Sequence, residues 1–234
     1  MEEFQIYTLP YGKFLLSITA NDDVTKCLRY GEFWEKELKE IFDNNLTKED
    51  IVIEIGSYIG DHTVYLSKLC KKVFAFEPTL RNYYQLCANL LLNNCTNVVV
   101  SDIIIANDEN VRVALEEDGD KFYLDFENNA AGVRFIPCNG KPIDHKKVKT
   151  TRRIDTLIND ANKIKLLKVD AEGMDLSVLR GSINLINCDK PIIIFEYNGY
   201  VSQDKFSEYE KFLIDINYDY KQIGPYNWLA TWKG

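Results

Sequence analysis

The chain of 234 residues is 46% hydrophobic and 27% charged, ordinary globular usage that excludes collagen-like and disordered classes. At roughly 150 residues per domain its length predicts one large domain spanning 1–234. Thirty-six Asp and Glu against 28 Lys and Arg give a net charge of −8 with no basic block, so nucleic acid, which needs a basic face to displace counterions, is not an expected partner.

The start, Met1 to Gln5, has neither the basic residues nor the apolar stretch of a signal peptide, and no apolar run approaches the ~20 residues of a membrane span. A cytoplasmic protein with no membrane partner is expected. Residues 4–7 and 13–18 alternate weakly and predict short edge strands. Over 32–45 the period becomes helical, with Phe33, Trp34, Leu38, Ile41 and Phe42 on one face. From 51 onward the chain alternates. Apolar runs at 51–55 and 73–76 predict strands buried on both faces, 97–105 predicts a third strand, and helical spacing over 61–70 and 80–94 separates them. Such an alternation demands a parallel sheet with right-handed crossovers. Residues 111–153 predict a β-rich insertion with strands at 111–115, 121–126 and 148–154. The alternation resumes with a strand at 166–170, a helix at 176–185, a strand at 192–196 and a helix at 205–216. Strands at 218–223 and 228–232 close as an antiparallel hairpin around Gly224-Pro225-Tyr226-Asn227. The predicted architecture is an α/β, doubly wound, mostly parallel sheet with an antiparallel end. Its parts are an N-terminal segment (1–50), a cofactor-binding half (51–110), the insertion, and a second half (154–234).

The six cysteines are scattered without a C-x-x-C, and His62 and His145 are the only histidines, so no zinc site is predicted. The cysteines read as reduced packing thiols.

Open α/β sheets bind ligands beyond the carboxyl ends of their strands, where the strand order reverses. That rule selects the loop after Ile55, the end of the strand at Phe76 and the end of the strand at Val169. In the first loop, Glu54-Ile55-Gly56-Ser57-Tyr58-Ile59-Gly60-Asp61-His62-Thr63, two glycines permit a tight turn and a close backbone approach. Tyr58 stands where a dinucleotide loop needs its middle glycine, and the Gly-Lys-Ser/Thr of a P-loop is absent, so the loop suits a nucleoside without phosphates. Glu77, followed by Pro78, lies 21 positions after Gly56, near the offset at which an acid meets ribose hydroxyls. Asp102 and the adjoining Ile103 end the third strand, where an acid can accept from an adenine amino group or simply turn the chain. Asp170 and Glu172 straddle the later strand end, with Glu196 ending its neighbour, and Asp175 reads as a helix cap. Three such carboxylates can raise one pKa for base chemistry or hold a divalent metal through oxygen; the metal is possible and not predicted.

Gly56-Ser57-Tyr58-Ile59-Gly60, Phe76-Glu77-Pro78, Leu90-Leu91-Leu92-Asn93, Arg153-Ile154-Asp155-Thr156-Leu157 and Leu167-Lys168-Val169-Asp170-Ala171-Glu172-Gly173 with Leu179-Arg180-Gly181 resemble the FkbM-type methyltransferases, over about 33–196. The resemblance implies a class I, Rossmann-like fold and S-adenosylmethionine as cofactor. It also implies methylation of a hydroxyl on a sugar, glycan or similar small molecule. Carried over, the Gly56–Gly60 loop, with Glu54, Ser57, Tyr58, Asp61 and Thr63 around it, would wrap the methionine part. Glu77 would hold the ribose, and Asp170 and Glu172 would border the methyl. Glu35, in Gly31-Glu32-Phe33-Trp34-Glu35, would reach the cofactor. Glu54 stands where the family more often has Asp, Ser57-Tyr58 replaces Ala-Asn, and Asp175 replaces Glu. Asp170, Glu172 and His62 are the candidate bases for the acceptor proton. The Asn/Asp-Pro-Pro-aromatic run of exocyclic-amine enzymes is missing. Pro137-Cys138 lies in the insertion rather than at a cleft strand, against cytosine carbon methylation. A dehydrogenase lacks its middle glycine, and an idle module keeping the fold is disfavoured by the retained acids.

Overall fold

The computed structural model describes residues 3–115, 135–137, 148–158 and 163–234. Strands β1 (Phe4–Leu9) and β2 (Gly12–Ser17) pair antiparallel as a sheet of their own rather than as edges of the main one. The outer edge of β2 is satisfied by side-chain amides of a helix, α4 (Leu80–Leu92). Asn89 Oδ1 accepts from Leu15 N at 2.7 Å, and Gln85 Nε2 donates to Leu15 O at 2.8 Å. Buried Asn and Gln thus replace a neighbouring strand. Helix α1 (Asp23–Arg29), which hydrophobic periodicity did not reveal, is capped by Asp22 Oδ1 accepting from Thr25 N at 2.7 Å.

Helix α2 (Lys36–Asn45) starts four residues later than the period suggested, because Glu35 is left-handed (φ 54°) and Phe33 and Trp34 stay outside the helix. The alternation then runs β3 (Ile51–Ile55), α3 (Asp61–Leu69), β4 (Lys72–Phe76), α4 and β5 (Val98–Ser101). The strand expected over 97–105 is two strands. After Asp102 and Ile103 the chain leaves the main sheet, and β6 (Ile104–Ile105) pairs instead with β9 (Val148–Arg152). With β7 (Arg112–Leu115) and β8 (Phe135–Pro137) these form a four-stranded sheet in the order β6-β9-β7-β8, the β-rich insertion. The strand expected at 121–126 lies outside the described residues.

Helix α5 (Ile154–Leu157) follows β9, and β10 (Ile164–Val169) returns to the main sheet. The helix expected over 176–185 is broken into α6 (Asp175–Arg180) and α7 (Ile183–Asp189). Gly181 sits at the break, where a Cβ would lie 2.3 Å from the carbonyl oxygen of Ala106. Asp155 caps α7 from a distance, accepting from Asn184 N at 3.1 Å and Leu185 N at 3.0 Å while Arg153 holds it at 3.1 Å. Asp155→Ala is expected to cost about 2 kcal/mol, the upper end for lost caps, read as a lower urea midpoint at unchanged slope. Then come β11 (Ile192–Glu196), α8 (Phe206–Asp215), β12 (Tyr218–Gln222) and β13 (Asn227–Trp232).

The main sheet has the order β12-β13-β11-β10-β3-β4-β5, parallel from β11 to β5 and antiparallel at β13 and β12. All five residues of β3 are buried. Ile51, Ile53 and Ile55 pack with α6, α7 and α8, and Val52 packs with Leu38 and Phe42 of α2. Coverage on both faces is why the strand is apolar at every position but Glu54. The order turns back between β3 and β10, whose C-terminal ends therefore open a crevice.

Candidate functional site

At that crevice lies a cavity of about 210 Å³. Its walls include Gly56, Glu77, Ile103, Asp170 and Glu172 from the strand ends, and Trp34, Glu35 and Tyr226 from the segments that cap them. Three wall residues, Glu35 (φ 54°), Tyr58 (φ 45°) and Glu172 (φ 48°), are left-handed, a conformation of non-glycine residues that concentrates at functional sites.

Gly56 turns the chain off β3 at φ 82°. A Cβ there would stand 1.7 Å from the carbonyl oxygen of Asp170, so only glycine lets the two loops touch. The turn aims Tyr58 N at Glu77 Oε2 (3.0 Å), while Thr79 N donates to Glu77 Oε1 (2.8 Å). Burial pushes the Glu77 carboxyl up to about 7 against the pull of those donors. Gly60 begins α3, and Ser57 and Thr63 lie behind the cavity wall. Ser57 Oγ donates to Glu54 O at 3.4 Å, and Thr63 Oγ1 donates to Glu54 Oε2 at 2.6 Å. Glu54 is buried in the wall, and burial raises its carboxyl.

Lys168, which the sequence reading did not single out, stands at the centre of these acids. It is 3% exposed on β10, opposite Glu54 across the parallel pair, with Nζ 3.2 Å from Asp170 Oδ2. Burial pulls its ammonium down, but Asp170, Glu54, Glu35 and Asp61 together outweigh that and hold it above the ordinary lysine range. A lysine inside the apolar run Leu166-Leu167-Lys168-Val169 was the available signal.

His62 is buried, stacked on Phe33 at 5.4 Å between ring centres. Its Nε2 donates to Trp34 O (3.1 Å), and burial lowers its pKa, leaving the ring neutral with Nε2 committed. It lines the cavity but is less open to an acceptor than Asp170 and Glu172. Asp102 is not in the cavity wall. It binds Lys149 Nζ at 2.6 Å, and its neighbour Ile103 does line the cavity. Asp175, the expected cap, folds back to accept from Ala171 N and Gly173 N, both at 3.2 Å, and so shapes the turn carrying Glu172. Burial, with Asp170 nearby, raises it to about 7. Among the described residues no group of three or more His, Cys, Asp or Glu side chains is arranged for a metal ion, and no helix is long and apolar enough to cross a membrane.

The wall carries more acid than base. Glu35 Oε1 accepts from Asn227 Nδ2 at 2.5 Å, but Glu35 Oε2 and Asp61 Oδ2 are buried without a hydrogen-bond donor, 3.9 and 3.6 Å from His62 Nε2. Burial raises both carboxyls, Asp61 to about 6. Unpaired buried acceptors in an acidic cavity call for a cationic ligand. S-adenosylmethionine, with a sulfonium, an ammonium and a phosphate-free ribose, matches those acceptors and the Glu77 end.

The family profile of the methyltransferase FkbM domain matches residues 54–221. No curated protein matches the chain. Among solved structures, the methyltransferase FkbM from Methylobacillus flagellatus KT is similar, with a TM-score of 0.56 and 15% identity over 92% of this chain and 56% of that one. Trm5b from Pyrococcus abyssi gives 0.51 and 13%, over 97% and 54%. An rRNA methylase from Streptococcus thermophilus gives 0.47 and 12%, over 82% and 90%. The chain thus spans little more than half the length of the first two, and at such identities the likeness shows the fold alone. The profile covers well over half of the sequence, and with the glycine turn and the acids of the crevice in place the chain belongs to the FkbM methyltransferase family, whose cofactor is S-adenosylmethionine.

Proposed function

We propose that the protein is a cytoplasmic, S-adenosylmethionine-dependent O-methyltransferase acting on a hydroxyl of a sugar, glycan or similar polyhydroxylated small molecule. The observation that carries this reading is the division of the cavity wall: one buried acid with two amide donors, Glu77, at one end, and the three carboxylates Asp170, Glu172 and Glu196 at the other. Carboxylates accept from neighbouring hydroxyls and repel phosphates, which favours a neutral polyol over a nucleic-acid backbone. The free cysteines of the described residues suit a reducing compartment.

When bound, the cofactor supplies a methyl group activated by positive sulfur. The chain's own work is alignment and proton removal. Glu77 takes the ribose diol. Asp170, braced by Lys168, would border the methyl, and Trp34 and Tyr226 line the cavity above it. Holding acceptor and methyl in line is worth roughly 7–11 kcal/mol, more than the ~10²–10⁴-fold of a general base.

Binding of S-adenosylhomocysteine by calorimetry, followed by transfer of a radiolabelled methyl group to a panel of sugars and to RNA, tests this. Glu77→Ala is expected to weaken S-adenosylhomocysteine roughly 10–100-fold, the loss of a charge-assisted hydrogen-bond pair. Because the free carboxyl sits near 7 and the diol binds its ionised form, wild-type affinity should fall as the pH drops below about 7. That slope should vanish in Glu77→Gln. No binding by the wild type ends the cofactor reading; methylated RNA with untouched sugars ends only the acceptor reading.

A further inference from the structure

We infer that Glu196 is the catalytic residue that takes the acceptor's proton, while Asp170 is engaged by Lys168. This rests on the O-methyltransferase reading above and assigns its base.

Glu196 ends β11, and the register Val169↔Phe195 sets it beside Asp170 at the mouth of the crevice. Its backbone pairs with β13 through Glu196↔Asn227, and β10 holds the preceding residue, Phe195. A base mounted on strands keeps its aim better than one on a loop.

Each of the following acids engages at least one partner, although Glu35 Oε2 and Asp61 Oδ2 stay without a donor, buried beside His62. Glu54 accepts from Thr63, and Glu77 and Asp175 each accept from two backbone amides. Glu35 accepts from Asn227, Asp61 from its own first-turn amides, and Asp170 from Lys168. The Glu196 carboxylate makes no hydrogen bond or ion pair among the described residues, so its lone pairs are open to a ligand in the cavity. Asp170 and Asp175, at the turn after β10, and Glu35, before α2, face it as like charges, and Lys168 on β10 opposes them. Burial first, then those three acids, raise it to about 8, close to the working range of a general base. An acid whose lone pairs are open is the better proton acceptor than one whose oxygen already faces an ammonium at 3.2 Å.

In the step, Glu196 takes the hydroxyl proton as the acceptor oxygen bonds to the methyl carbon. The electron pair of the breaking carbon–sulfur bond stays on sulfur. One positive and one negative charge disappear together, so the buried site carries the same net charge before and after. Glu196 then returns the proton to water.

Calorimetry at pH 8 in buffers of different ionisation enthalpy, comparing S-adenosylmethionine with S-adenosylhomocysteine, reads this without any acceptor. Both ligands share the ribose, so the contribution of Glu77 cancels, and the sulfonium alone draws the proton from Glu196. The wild type should release up to about half a proton more with the sulfonium ligand, as for a group half-ionised at its pKa. Glu196→Gln should abolish that difference while binding S-adenosylhomocysteine within about threefold of wild type; Glu196→Asp, the check against misfolding, should keep part of it. With whichever acceptor of the panel turns over, Glu196→Gln should lower kcat about 10²–10⁴-fold and remove the rise in rate near pH 8, with KM for the cofactor unchanged. A proton difference that persists in Glu196→Gln, or a kcat within threefold of wild type, overturns the assignment. Failure of both nucleosides to bind the wild type instead takes down the cofactor reading and this inference with it.

Discussion

Gly56→Ala is expected to lower the melting temperature by roughly 10 °C and to abolish measurable binding of S-adenosylhomocysteine. Two costs add. The residue sits at φ 82°, where an L side chain costs about 1–2 kcal/mol. The new Cβ would also stand 1.7 Å from the backbone oxygen of Asp170, which no side-chain rotation relieves. Forced crowding of this kind typically costs a further ~1–3 kcal/mol. Relief requires the turn after β3 and the turn after β10 to part. Those turns carry Tyr58 N, which fixes Glu77, and Asp170 itself, so the ribose end and the methyl end lose alignment together. Thermal melts and calorimetry on the same variant check both parts, and a variant that melts with the wild type and binds normally would show that the loops do not depend on this contact.

Lys168→Met is expected to destabilise the protein by about 3–5 kcal/mol at pH 8, the cost of removing one partner from a buried charge cluster. Methionine matches the stem of lysine, so packing changes little and the loss is electrostatic. Glu54, paired with Lys168 across β3 and β10, is 1% exposed and cannot turn to water. The pH dependence follows from the sign of the shifts. Glu54, Glu35 and Asp61 already have folded pKa values raised above their unfolded ones by burial, and losing the ammonium raises them further. Such groups contribute stability that is intact below the unfolded carboxylate range, near 4, and is lost as the pH climbs through the folded values. The variant should therefore approach wild-type stability toward pH 4 and fall away from it through pH 6 to 8. Urea midpoints at three pH values give the answer, and a deficit independent of pH would mean that the lysine acts by packing rather than by charge.

Much of the fold was legible because its causes are local. A strand covered on both faces is largely apolar, and so Ile51–Ile55, polar only at Glu54, and Ile192–Glu196, polar only at its last residue, stood out in the sequence and are found at those residues. The glycine turn and the acid at 77 were legible for a similar reason: a tight turn and a carboxylate at the next strand end are fixed by chain geometry within one strand–helix–strand unit. The misplaced elements have tertiary causes. Residues 97–105 hold two apolar runs, 98–100 and 103–105, that read as one strand, but Ile104 and Ile105 serve a second sheet because β9 offers them a partner. Helical periodicity runs through 176–185, but Gly181 must pass the backbone at Ala106, and Asp155 caps a fresh start beyond it.

By itself the sequence determined the α/β alternation, the phosphate-free loop and the family, since each depends on residue types at fixed short spacings. Only the tertiary structure decided which acids share a lysine and which keep open lone pairs. Glu35, the Glu54–Asp61 loop, Asp170 and Glu196 come from separate stretches of the chain, and how they meet depends on the register of β10 against β3 and β11. Register is a property of strand pairing, and a carboxylate's chemistry follows from the charges and burial that pairing brings to it.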